Sequence, residues 1–287
     1  MKLKHVTDAN QDYERAKSFL LENEAYNSLM FGLLDTIIYS PNRFKSQPYV
    51  AIVEENERVL AVAIQTPPRK LLLSQVEEFE AIELIARDLY SRQAQVPGVM
   101  GIAPASKVFA QHWQALTGQS YREGTRERFF QLETVQPISF VKGHLRQATV
   151  ADRELLIDWC RAFMEEVSEE PADWEAEVVV ERYLGEGSPH FWEDNIPVSL
   201  ANFYSATPNG VRINLVYTPP EYRRRGYARA CVAALSQTLL ERGYKYCFLS
   251  ADLANSTSNH IYQAIGYQPL GNDMLVYWFQ SSLEDDR

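Results

Sequence analysis

The chain has 287 residues, 46% hydrophobic and 23% charged, with a formal net charge of −10, the proportions of a globular protein of two domains or one large one. The acidic balance argues against a general nucleic-acid binder, which needs a basic face. No run reaches the ~18 apolar residues of a membrane span, and Met1-Lys2-Leu3-Lys4-His5 lacks a signal-peptide core, so a cytoplasmic protein without membrane contact is expected.

Cys160, Cys231 and Cys247 are odd in number and sit in apolar surroundings, which points to buried free thiols in a reducing compartment. Neither they nor the five histidines have metal-ligand spacing, so no metal is expected. An acidic surface suits a cationic partner such as an amine, and equally serves solubility.

Residues 1–135 read as one α/β domain. Leu3–Val6 is a short strand. Tyr13–Leu21 and Ser28–Tyr39 have apolar residues at helical spacing. Tyr49–Val53 and Val59–Ile64 are strands about a turn at Glu55-Asn56-Glu57; Pro67-Pro68 follows, then a strand at Lys70–Leu73. Glu77–Arg92 is a helix, Val99–Ile102 a strand, Ala105–Leu116 a helix and Arg128–Leu132 a last strand. Residues 136–143, with Pro137, Ser139 and Gly143, separate the halves as a linker.

In residues 144–287, Thr149 is a predicted N-cap for a helix over Val150–Val167. Ser168-Glu169-Glu170-Pro171 breaks the chain before a helix over Trp174–Leu184. Strands are expected over Phe191–Asp194, Val198–Ala206 and Val211–Thr218, joined at Asn195-Ile196-Pro197 and Pro208-Asn209-Gly210. The Asn-Gly pair is a strong hairpin signal. The apolar run Ile213–Tyr217 is the buried part of the third strand, which Thr218-Pro219-Pro220-Glu221 ends.

Tyr222-Arg223-Arg224-Arg225-Gly226-Tyr227-Ala228 then leads into a helix over Ala228–Arg242. Strand, basic glycine loop and helix start together make an anion site. The helix start offers unpaired N–H groups and a positive dipole end. Gly226 lets the backbone approach phosphate oxygens, and the arginines add charge and bidentate donors. The Gly-Lys-Ser/Thr ending of a Walker loop is absent, and one glycine does not make Gly-x-Gly-x-x-Gly. A basic helix cap is the plainer reading of the loop alone. A strand at Tyr246–Ser250 follows, then a helix that starts at Asn255-Ser256-Thr257-Ser258-Asn259, holds Ile261 and Tyr262, and ends at Gly266 before Tyr267.

The order Arg223-x-x-Gly226-x-Ala228 resembles the pyrophosphate loop of the GNAT superfamily of acyl-CoA N-acyltransferases, Gln/Arg-x-x-Gly-x-Gly/Ala. Asn255, Ser258, Tyr262, Gly266 and Tyr267 resemble that family's second signature. The resemblance covers about Leu145 to Phe279. It implies a mixed, mostly antiparallel sheet flanked by helices, and direct transfer of an acetyl group from acetyl-CoA to a small-molecule or peptide amine, with no metal. By resemblance, the diphosphate lies on Arg223, Arg224, Arg225, Gly226, Tyr227, Ala228 and Arg229. The pantetheine arm runs beside Val216, Tyr217 and Thr218, with an oxyanion-type N–H near Tyr217. Asn255 and Ser258 bind the pantetheine or simply cap a helix. Tyr262 is the general acid to the departing thiolate, or a packed helix tyrosine. Tyr227 departs from the commoner small aliphatic residue. Glu165, Glu166, Glu169 and Glu170 read as a solvated helix end or as the base that takes the amine proton, and Tyr204 and Asn214 could face the acceptor groove.

Weak echoes run between the halves. Leu145-x-x-Ala148-Thr149-x-Ala151 repeats Leu3-x-x-Val6-Thr7-x-Ala9; Glu193-Asp194-Asn195 repeats Glu54-Glu55-Asn56; Tyr262-Gln263-Ala264-Ile265 repeats Trp113-Gln114-Ala115-Leu116. Their common order predicts an α/β chain of two tandem GNAT-like domains. The first copy has Ser74-Gln75-Val76-Glu77-Glu78 in place of the basic loop and Trp113 in place of Tyr262, so it reads as a degenerate copy that binds no CoA. Two other functions fit parts of the pattern: a non-catalytic acyl-CoA sensor on the same fold, and a nucleotide-phosphate binder. A monomer or homodimer is expected.

Overall fold

The computed structural model describes residues 1–9, 11–167, 175–204 and 207–280. The chain runs through β1 (Lys2–His5), α1 (Gln11–Glu22), α2 (Glu24–Tyr39), β2 (Tyr49–Glu55), β3 (Arg58–Gln65), β4 (Leu71–Leu73), α3 (Glu80–Ser91), β5 (Gly98–Ile102), α4 (Ala103–Thr117) and β6 (Tyr121–Leu132). It then repeats the same order of elements: β7 (His144–Gln147), α5 (Arg153–Val167), α6 (Ala176–Glu186), β8 (His190–Asp194), β9 (Ile196–Tyr204), β10 (Gly210–Tyr217), α7 (Tyr227–Glu241), β11 (Tyr246–Asp252), α8 (Ser256–Ile265) and β12 (Gln268–Phe279). Each of the three sequence echoes falls on corresponding elements: β1 and β7 with the turns after them, the β2–β3 and β8–β9 hairpins, and α4 and α8.

The chain forms two compact units. One is Met1–Phe129 together with the chain from Gly271 onward; the other is Phe130–Leu270. A division at 136–143 keeps each half contiguous, whereas here the last strand belongs with the first unit. The reason is pairing and burial: Met274–Trp278 of β12 pair antiparallel with Gly98–Ile102 of β5, and Leu275 and Tyr277 join the core of that unit beside Phe109 and Trp113. The strand order of the first unit is β1-β2-β3-β4-β5-β12-β6, with β4 parallel to β5 and the pairs β1–β2, β2–β3, β3–β4 and β5–β12 antiparallel. In the second unit the order is β11-β10-β9-β8-β7, with β10 parallel to β11 and the pairs β9–β10, β8–β9 and β7–β8 antiparallel.

Several boundaries differ from the sequence reading, each for a local reason. β6 starts at Tyr121 rather than Arg128, because charged residues on its exposed face hide the strand from a hydrophobicity pattern. α3 starts at Glu80 rather than Glu77. The preceding stretch is drawn toward β3, where Ser74 N–H donates to Val62 O and Ser74 Oγ accepts from Val62 N–H, both at 3.0 Å. Ile196 and Pro197 lie within β9, since Ile196 pairs with Asp194; the hairpin turns on Asn195 alone, at φ 64°. Val150–Asp152 is a 3-10 turn, and Thr149 caps it in a box with Asp152 before α5 begins. Trp174, Ser205 and Ala206 lie outside the described residues.

The second unit buries one cluster on each face of its sheet. Val211, Ile213, Leu235, Ile265 and Tyr267 pack under α7 and α8. Leu156, Ile157, Val180, Tyr183, Leu215 and Tyr217 pack under α5 and α6. Cys160, Cys231 and Cys247 are buried free thiols. Among the described residues, no helix is long and apolar enough to cross a membrane.

Candidate active site

β10 changes face partway along. Val211 and Ile213 enter the α7/α8 cluster, and by the two-residue period of a strand Leu215 and Tyr217 should follow them. They enter the α5/α6 cluster instead, and Val216 packs on the α7/α8 side. The cause is a bulge: Asn214 pairs with Asn202 but Tyr217 pairs with Leu200, so β10 carries one extra residue. Leu215 takes it up at φ 48°, a left-handed conformation that costs an L residue ~1–2 kcal/mol. Beside it, β10 pairs with β11 only over 210–212 with 246–248, although both strands run on to Tyr217 and Asp252. The ladder between these parallel strands therefore ends before the bulge.

The loop after β10 is held at its base. Ser199 Oγ lies 3.2 Å from Tyr217 O and 2.8 Å from Thr218 Oγ1. Arg223 turns back: its Nε donates to Thr218 O at 2.7 Å, one NH2 meets Glu166 Oε1 at 2.5 Å, and its guanidinium lies over the Tyr217 ring. Arg223 thus braces the loop against α5. The next residues form a concavity. Arg224 has φ 63° and Gly226 φ 83°, on either side of Arg225, a backbone pattern that turns N–H groups toward a common point. Gly226 is the N-cap of α7, no side chain caps the helix, and its first turn contains no acid. A Cβ at Gly226 would stand 3.2 Å from Val141 Cγ2, a tight approach, and the positive φ favours glycine there.

Arg224 and Arg225 are exposed and form no ion pair among the described residues. Arg229, in the first turn of α7, has a buried Nε with no hydrogen-bond partner. Tyr227 points its ring into the core, and its hydroxyl donates to Asp194 Oδ2 at 3.0 Å; Lys142 Nζ meets the same carboxylate at 2.8 Å. The Lys142 ammonium, and then the Tyr227 hydroxyl, hold the Asp194 carboxyl below its ordinary range.

Asn255 is a cap: its Oδ1 accepts from Ser258 N–H at 3.0 Å, and its carbonyl takes a bond from Asn259 Nδ2. Gly266 ends α8 at φ 113°, which sets Tyr267 back into the core. Tyr262 lies between these caps, 7% exposed, its ring 6.1 Å from those of Phe130 and Tyr267. Its hydroxyl has no hydrogen-bond partner among the described residues, and burial pushes the phenol up to about 12.

On the α5/α6 face, Asn214 donates to Tyr183 Oη at 3.0 Å and accepts from Asn202 Nδ2 at 2.8 Å; Asn202 accepts from Ser188 Oγ at 2.7 Å. Tyr204 packs half-buried against the same cluster. Glu165 and Glu166 are exposed on α5; Glu169 and Glu170 lie outside the described residues. The features that sequence reasoning missed are the bulge, the Arg223–Glu166 brace and the Tyr227–Asp194–Lys142 link. The unusual tyrosine at 227 was the one visible sign of the last of these. Among the described residues, no cluster of three or more His, Cys, Asp or Glu could hold a metal ion.

Residues 198–276, from β9 into β12, match the FR47-like protein family. No curated protein matches the chain. Among solved structures, a GNAT-family acetyltransferase from Colwellia psychrerythraea is 12% identical, with a TM-score of 0.57, and the alignment covers 98% of this chain and 100% of that one. The chain has the GNAT fold. A GCN5-related N-acetyltransferase from Sphaerobacter thermophilus is also 12% identical, with a TM-score of 0.61 over 96% of this chain and 94% of that one. A tandem GNAT protein from the clavulanic acid biosynthesis pathway is 15% identical, with a TM-score of 0.53 over 97% and 98%. The neighbours of this GNAT fold span both units, and the FR47-like match lies in the second.

Proposed function

We propose that the second unit is an N-acyltransferase that moves an acetyl group from acetyl-CoA to an amine by direct attack. One observation carries this reading: Arg224, Arg225 and Arg229 gather at the positive end of α7, whose first turn has no acid. Cations at a helix N-terminus are disfavoured by ~0.3–1 kcal/mol each. An anion offsets that cost and finds the N–H groups of the helix start already aimed at it.

The residues present fit a CoA diphosphate. Arg224 and Arg225 supply free charge, the partnerless Nε of Arg229 supplies a buried donor, and Gly226 takes the left-handed conformation of the loop without a side chain in the way. The pantetheine arm would lie along Val216–Thr218, where β10 has left its ladder with β11. Acetyl-CoA supplies the activated thioester. Tyr262 then acts at the sulfur. A phenol at about 12 holds its proton more tightly than a thiol of ordinary pKa near 8.5, so Tyr262 stabilises the departing thiolate by hydrogen bond rather than by full transfer; as the N–C bond forms and the C–S bond breaks, the proton that the amine loses reaches the thiolate through solvent. The acceptor is an amine on a small molecule or a peptide; it approaches from the α5/α6 side, where Asn214 and Tyr204 lie. Glu165 and Glu166 remain a solvated helix end in this scheme, since Arg223 engages Glu166.

Among the described residues the first unit has no such basic loop, and it serves as a degenerate copy. A second reading, an acyl-CoA sensor without catalysis, draws on the deep burial of Tyr262. The test is thermal unfolding with and without acetyl-CoA, on the wild type and on Gly226→Glu. A ligand that binds only the folded state, present at 100 times Kd, adds about 2.7 kcal/mol and raises the midpoint by several degrees. A rise in the wild type that disappears in the variant supports the site; no rise in either overturns it. Turnover with an amine panel then separates enzyme from sensor.

A further inference from the structure

The segment 136–143 is not a slack linker. Gln136 N–H donates to Ile265 O at 2.7 Å. Ile138 and Val141 pack on the α7/α8 cluster. Trp192 Nε1 donates to Lys142 O at 3.0 Å, Lys142 Nζ pairs with Asp194, and Asp194 holds the hydroxyl of Tyr227, the first residue of α7. Val141 Cγ2 lies 3.2 Å from where Gly226 would carry a Cβ. The segment is therefore a strap fastened at both ends and laid against the anion loop. From its middle Phe140 projects, 90% exposed. Its neighbour Val141 is the residue against Gly226, and adjacent Cα atoms are 3.8 Å apart, so the backbone that carries the ring is one residue from the contact with the loop.

We propose that Phe140 is a stacking platform for the purine base of the acyl-CoA co-substrate. This rests on the reading of Arg224–Ala228 as the diphosphate site. Once the diphosphate is held at the start of α7, the ribose and base must continue past the loop, and the base is a flat π surface that buries well only on another flat face. The strap offers one, with its backbone already ordered and only two side-chain torsions left to restrain. Stacking of a base on an aromatic side chain is worth about 5- to 150-fold in affinity.

The experiment titrates the full chain, as wild type, Phe140→Ala, Phe140→Trp and Gly226→Glu, with acetyl-CoA, with adenosine 3′,5′-bisphosphate and with S-acetylpantetheine. Phe140→Ala is expected to weaken acetyl-CoA and the bisphosphate about 5- to 150-fold and to leave S-acetylpantetheine and the ligand-free melting point unchanged. Phe140→Trp is expected to keep affinity and to show fluorescence quenching as acetyl-CoA binds. Equal acetyl-CoA affinity for wild type and Phe140→Ala, with binding lost in Gly226→Glu, overturns the platform and leaves the diphosphate site standing. Failure of the wild type to bind acetyl-CoA overturns both. A change of oligomeric state in Phe140→Ala with unaltered acetyl-CoA affinity assigns the ring to a protein contact and overturns the proposal.

Discussion

The junctions β4–α3 and β10–α7 occupy the same place in the two units and are built to opposite ends. In the first unit β4 is three residues long, Gly101 of β5 lies against Leu73, and Ser74 is tied to Val62 on both its backbone and its hydroxyl. α3 then opens with Glu80 and Glu83 in its first turn, which neutralises the positive helix end from within. In the second unit β10 is eight residues long, bulges at Leu215, and hands over to a helix whose first turn has no acid and whose flanking arginines have the same sign as its dipole. One junction balances its own helix end; the other leaves its positive end unbalanced, as the proposed anion site requires. A shared fold therefore says little about which copy has a site, and the charge balance of one helix start says much.

The largest expected effect concerns the strand that the units exchange. Ending the chain after Leu270 removes Met274, Leu275, Val276 and Tyr277, all buried, at ~1.5–3 kcal/mol each. That sum reaches the ~5–15 kcal/mol that holds a domain together. The first unit should lose its amide-exchange protection while β7–β10 keep theirs; retained protection over β2–β5 would show that the exchanged strand is dispensable.

Next is Tyr262→Phe. It should lower kcat about 100-fold or more while acetyl-CoA affinity stays within twofold, and an unchanged kcat would remove Tyr262 from the chemistry. Because burial pushes the phenol up to about 12, its ionisation adds no alkaline limb to the wild-type rate below about pH 11. A limb near pH 9 that Tyr262→Phe abolishes would contradict this.

Replacing both Arg224 and Arg225 with alanine should weaken acetyl-CoA roughly 10- to 100-fold, from the loss of charge-assisted bonds. Glu77→Ala with Glu78→Ala, at the matching junction, should change nothing. Gain of acetyl-CoA binding by the glutamate variant would restore the first unit as a second site.

The smallest effect is on acid stability. Arg146, first of all, holds Asp152 down at about 2. A carboxyl whose folded pKa lies below its unfolded value near 3.9 stabilises the fold above that value and loses the contribution as pH falls toward 2. The difference corresponds to about 2 kcal/mol. Asp152→Asn should therefore lower the melting point of the second unit at pH 6 but not near pH 2, and an equal loss at both would point to the Thr149 cap instead.

Much of the local structure of the candidate site was legible because it depends on near neighbours. The apolar run at Ile213–Tyr217, the glycine at 226 and the spacing from Asn255 to Gly266 mark a strand, a left-handed position and a capped helix by neighbours within a few residues. The repeat was legible because Asn56 and Asn195 both stand where a hairpin needs a positive φ, and both do. The start of β6 escaped because its exposed face is charged. The role of Tyr227 escaped because its partners, Lys142 and Asp194, lie 85 and 33 positions away.

By itself, the sequence determined the order of elements, the basic loop before α7 and the absence of its like after β4, since each rests on residue type and short-range periodicity. Only the tertiary structure decided that β10 changes face at Leu215, that Arg223 is spent on Glu166 while Arg224 and Arg225 stay free, and that the final strand completes the first unit. Those outcomes depend on which distant strand edge and which distant charge lie within reach, and that is settled by packing, not by neighbours in the chain.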